Sequence, residues 1–72
     1  MPMTYAHPKG PRKFEFWVSG RGGERSEVVG IPEDWSIDDV REELEDWRSR
    51  YFTSSEFVRY GFNAEGNFGN RK

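Results

Sequence analysis

Residues 36–51 read SIDDVREELEDWRSRY, and their spacing sets the architecture of the whole chain. Ile37, Val40, Leu44, Trp47 and Tyr51 recur at alternating intervals of three and four residues. At helical periodicity these side chains fall on a single stripe, as expected of a helix with one buried face. Ser36 suits the N-cap, because its hydroxyl can accept from a first-turn amide that has no partner inside the helix. Asp39 can reach back to the Ser36 amide and complete a capping box, while Trp35 and Val40 occupy the two positions of a hydrophobic staple. Opposite the stripe lie Asp38, Asp39, Glu42, Glu45 and Asp46, with Glu43 nearer its edge and Arg41 and Arg48 along the other edge. The spacing predicts an amphipathic helix with an acidic outer face.

Upstream the period changes to two. Phe14, Phe16 and Val18 alternate with Glu15, Trp17 and Ser19, which predicts a strand from Lys13 with one apolar face. Trp17 then falls on the outer face, either as a contact residue or packed under the N-terminal arm. Gly20–Glu24 supplies a turn, and a second strand follows over roughly Arg25–Ile31, closed by Pro32. Downstream, Thr53, Ser54 and Ser55 break the helical pattern. Glu56–Phe62 alternates again, with Val58, Tyr60 and Phe62 on one face and Phe57 on the other. The expected fold class is therefore α+β, a small ββαβ domain. An antiparallel sheet of about three strands would carry one amphipathic acidic helix on one face. The domain spans 13–62, between a flexible basic arm at 1–12 and a turn-rich tail or short hairpin at 63–72.

The chain has 72 residues and no cysteine, so a single domain must fold without disulfides or thiolate zinc. Half of its apolar residues are aromatic, and each buried ring removes roughly 150–250 Å² from water. Both a monomer and a homodimer sharing this core are open. No apolar run suits a signal peptide or a membrane span, and a cytoplasmic location is expected.

Charge is segregated along the chain. The overall −2 divides into +3 over residues 1–25, −8 over 26–47 and +3 over 48–72. Glu33, Asp34, Asp38, Asp39, Glu42, Glu43, Glu45 and Asp46 share residues 33–46 with one arginine. Asp38/Glu42, Asp39/Glu43 and Glu42/Asp46 are like-charge neighbours one turn apart, each costing about 0.2–0.5 kcal/mol. Arg41–Glu45, Glu45–Arg48 and Asp46–Arg50 return only similar amounts, so stability does not account for the face. From Asp38 to Asp46 the net charge is −5. At helical rise this is one charge per about 2.4 Å, approaching duplex DNA at one per about 1.7 Å. The face can thus imitate a nucleic-acid backbone, set against the blander reading of a solvated surface. Calcium-loop spacing is absent, and no metal is expected.

The basic residues lie beside aromatic ones. Lys9, Arg12, Lys13, Trp17, Arg50, Arg59 and Tyr60, with Arg71 and Lys72, are candidate nucleic-acid contacts, since rings beside guanidinium groups suit single strands. The competing reading is that the rings fill the core and the bases balance the acids. Gly20–Gly23 precedes a strand rather than a helix and lacks the lysine of a nucleotide loop, so it reads as a turn. His7 is the only histidine and lies in the arm. The carboxylates crowd one helix face instead of facing each other across a pocket. No catalytic residue and no cofactor is assigned, and a non-enzyme is expected.

Two segments, Lys13–Ser19 (KFEFWVS) and Ser36–Trp47 (SIDDVREELEDW), resemble small proteins of tailed bacteriophages. Those proteins share an aromatic strand, a short glycine-containing turn, a second strand and an acidic helix ending in tryptophan. The likeness covers about half the chain and carries no active site, so it transfers no functional residue. It implies a phage origin and a bacterial host. It also implies a role among inhibitors of host defence such as anti-CRISPR proteins. The resulting expectation is a non-enzymatic inhibitor that plugs a basic nucleic-acid groove with the eight carboxylates of residues 33–46. Charge reversal at Glu42 and Asp46 would then abolish binding. The rival expectation is a nucleic-acid-binding or regulatory accessory protein that uses the basic and aromatic residues.

Overall fold

The computed structural model describes residues 9–53 and 55–71. Residues 1–8, including His7, together with Ser54 and Lys72, lie outside the described set, so most of the expected arm does too. Along the described chain run β1 (Arg12–Gly20), β2 (Gly23–Ile31), α1 (Ile37–Tyr51) and β3 (Arg59–Ala64). The strands form an antiparallel sheet in the order β2-β1-β3, with β1 in the middle. This is the α+β domain of ββαβ order that the periodicities predict.

The helix faces one side of the sheet, and the core lies between them. Phe14, Phe16 and Val18 from β1, Val29 and Ile31 from β2, and Val40, Leu44 and Trp47 from α1 are all buried. Phe16 meets Trp47 with ring centroids 5.6 Å apart, and Phe14 meets Phe62 edge-on at 5.7 Å. The cap forms as its residues require: Asp39 N donates to Ser36 Oγ at 3.2 Å, and Ser36 N donates to Asp39 Oδ2 at 2.9 Å. Trp35 packs against the core beside it. The ends of the predicted stripe are looser, with Ile37 47% exposed and Tyr51 half-buried.

The third strand begins later than the alternation suggests. Glu56–Phe62 was the expected span, whereas β3 pairs with β1 only from Ser19↔Arg59 to Phe14↔Ala64. Ahead of it, the Glu56 carbonyl accepts from Gly22 N at 3.5 Å and lies where a side chain on Gly20 would collide with it. The chain therefore crosses the hairpin tip before it joins the sheet. Alternation does not govern such a crossing, and the faces assigned to Phe57 and Val58 exchange, while Tyr60 and Phe62 pack against the core as expected. Phe57, expected outside, packs edge-on against Phe52 at 5.3 Å and joins the core. Val58, expected inside, is 68% exposed. Beyond β3 the chain turns twice, through Asn67 N to Ala64 O and Asn70 N to Asn67 O, and brings Arg71 back over the sheet.

Candidate functional site

The outer side of α1 carries the acidic residues, and its cations neutralise part of them. Arg41 pairs with Asp38 at 3.1 Å and Arg50 with Asp46 at 3.0 Å, both pairs well exposed. Arg41 thus chooses Asp38 over the expected Glu45. Asp39 is engaged in the cap, and Glu45 accepts the Tyr60 hydroxyl at 2.6 Å. That hydrogen bond raises the Tyr60 pKa above its usual 10, with desolvation adding to it. Arg48, expected to pair with Glu45, instead lies over the Tyr60 ring at 4.4 Å, and its Nε is buried without a partner. Glu43 is half-buried. Glu33, Asp34 and Glu42 are exposed, and among the described residues none of the three meets a cation. The strip is therefore weaker than its sequence charge, and its open part is Glu33, Asp34 and Glu42.

The opposite face of the sheet, where Trp17 was placed either as a contact residue or under the N-terminal arm, holds a closed cluster. Glu15 is only 8% exposed. Its carboxylate accepts from Arg71 Nη1 at 3.0 Å, Arg71 Nη2 at 3.3 Å, Gly69 N at 2.9 Å and Asn63 Nδ2 at 3.1 Å. Arg71 also pairs with Glu24, and its guanidinium stacks on the Trp17 ring at 5.0 Å. Arg59 Nη2 and Asn63 Nδ2 donate to the carbonyls of Arg71 and Asn70, fixing the returning tail. The Arg71 guanidinium, ahead of the desolvation that opposes it, holds the Glu15 pKa down to about 2.

This cluster corrects one expectation outright. Trp17, offered as an exposed stacking residue, is 4% exposed and cannot stack on a base. Its ring lies across Gly61, its neighbour in β3, where a Cβ would come 3.1 Å from the ring. The cover on its other side is Arg71, a tail residue. Among the remaining basic candidates, Arg12 Nη1 donates to the Trp35 carbonyl at 2.8 Å, and Arg59, Arg50 and Tyr60 are engaged as described. Lys9 and Lys13 are exposed. Of these candidates, Arg12, Arg50, Arg59 and Tyr60 thus have partners within the fold.

The sequence held one unused signal for the cluster: Glu15 stands between Phe14 and Phe16 on the central strand, where a carboxylate needs a cation. Which cation supplies it cannot be read from spacing, since Arg71 lies 56 residues away. Among the described residues no group of three His, Cys, Asp or Glu could hold a metal, and no helix is long and apolar enough to cross a membrane. The chain matches no protein-family model, no curated protein and no solved structure.

Proposed function

We propose that this chain is a non-enzymatic binding protein that docks its acidic helix edge on a basic surface of a larger partner. The supporting observation is the set of exposed carboxylates on Glu33, Asp34 and Glu42, which meet no cation within the described chain. They extend from the turn before α1 onto its outer face, and Asp38, Asp39, Glu43, Glu45 and Asp46 surround them with further negative charge. A ridge of this kind complements a groove that ordinarily holds phosphates, by charge rather than by shape. On the resemblance of KFEFWVS and SIDDVREELEDW to phage proteins, the finer reading is a phage-encoded inhibitor of a CRISPR-type defence complex in a bacterial cytoplasm.

The test follows from which carboxylates are open. Asp34→Lys with Glu42→Lys reverses charge at two positions that stabilise nothing visible in the fold, whereas Asp46 carries the pair to Arg50. The double variant should keep its thermal transition and lose at least tenfold in affinity for a purified CRISPR effector that the parent binds. Binding by the parent should also weaken steeply between low and physiological salt, because the interaction is between exposed charges. Unchanged affinity in the double variant would refute the reading. Retardation of single-stranded DNA or RNA by the parent at low salt would replace it with the nucleic-acid-binding one.

A further inference from the structure

Strand β2 is an outer strand, and no other described strand pairs with its far edge. It pairs with β1 in an unbroken register from Gly20↔Gly23 to Arg12↔Ile31. Gly20 and Gly23 flank a two-residue turn and so form a hydrogen-bonded pair, and the pattern then alternates. Arg25, Glu27 and Val29 spend their backbone groups on β1, leaving those of Glu24, Ser26 and Val28 directed away from the sheet. Among the described residues no backbone partner meets them there. Ser26 is exposed and Val28 is 52% exposed.

Charge selects what can pair with this edge. A two-fold antiparallel pairing of β2 with β2 centred on Arg25 sets arginine against arginine, and one centred on Glu27 sets glutamate against glutamate; like charges directly opposite are destabilising. Centring on Val28 sets Glu24 against Pro32, which has no N–H to give. Centring on Ser26 avoids all three defects. Ser26 then meets Ser26, Glu24 meets Val28, and Arg25 faces Glu27 of the second copy twice over. Arg25 is exposed, and among the described residues its side chain donates only to the carbonyl of adjacent Glu24. Glu27 is oriented by Trp47 Nε1 at 3.0 Å.

We infer that β2 is a self-association edge whose occupant is the β2 of a second copy, paired antiparallel about Ser26. The six-stranded sheet so formed has its two-fold axis normal to the sheet. Both helices then lie on the same side, and the pair presents two acidic ridges on a common face. The contact is small and the two ridges repel, so the dimer is weak and concentration-dependent.

Sedimentation equilibrium of the full chain from micromolar to millimolar concentration tests this. The mass should rise from 8.5 kDa toward twice that value. Arg25→Glu should raise the dissociation constant at least tenfold. Ser26→Pro should abolish association while leaving the circular dichroism unchanged, since that N–H bonds nothing among the described residues and proline is tolerated on an edge. If Ser26→Pro fails to fold, the Arg25→Glu result decides. A mass of 8.5 kDa at millimolar concentration, or association that Arg25→Glu leaves unaltered, overturns the inference.

Discussion

The Glu15 carboxylate accepts from Arg71, Gly69 and Asn63, and its pKa falls from the ordinary 4.5 to about 2. A carboxylate whose pKa is lowered by folding stabilises the fold above its unfolded value and loses that contribution as pH falls through its folded one. The window here runs from pH 4.5 down to about 2. Glu15→Gln should therefore cost about 2 kcal/mol at pH 7, after discounting for residual screening. In urea titrations the gap between parent and variant should narrow steadily below pH 4.5, and a gap constant down to pH 2 would contradict the assignment. Arg71→Ala tests the other partner. It uncovers the Trp17 ring, so acrylamide should quench the fluorescence more strongly than in the parent. The same substitution in a Trp17→Phe background should add nothing.

At the scale of elements, the helix has the clearest local logic. Ser36→Ala removes a cap whose two hydrogen bonds are both formed, and should cost about 1 kcal/mol in chemical denaturation. The stripe itself divides by tertiary contact. Leu44 is 3% exposed, and Leu44→Ala should cost about 3 kcal/mol. Ile37 belongs to the same stripe but is 47% exposed, so Ile37→Ala should stay within about 0.5 kcal/mol. Equal losses at the two positions would mean that the first turn is as buried as Leu44. The strands were legible to different degrees. β1 and β2 follow their alternation because each runs along the sheet for nine residues. β3 does not begin where its alternation begins, because Glu56 and Phe57 are held by the hairpin tip and the Phe52 ring rather than by a ladder.

Across the whole molecule, the two faces of the sheet have different fates. The inner one carries an aromatic core and a helix whose outer side holds the acidic ridge. On the outer one, Arg71, Glu15 and Trp17 close against each other, and two of the groups that looked suited to nucleic acid, Trp17 and Arg71, are occupied in doing so. Gel retardation follows from that arrangement. The chain should shift neither single- nor double-stranded nucleic acid at low salt, and Arg71→Ala should not create a shift, because the site it opens carries the Glu15 and Glu24 carboxylates. A shift by either protein would show that Lys9 and Lys13, the exposed cations of the N-terminal side, outweigh them.

The amino-acid order alone determined the helix, its cap, the hairpin and the sidedness of the core. These depend on periods of two and of three to four residues and on hydrogen bonds between residues close in sequence. The tertiary structure alone decided the start of β3, the burial of Trp17, the pairing of Glu15 with Arg71 and the choice of Asp38 over Glu45 by Arg41. Each is a competition among several chemically eligible partners. Its outcome depends on distances set by the folded chain, which periodicity does not encode.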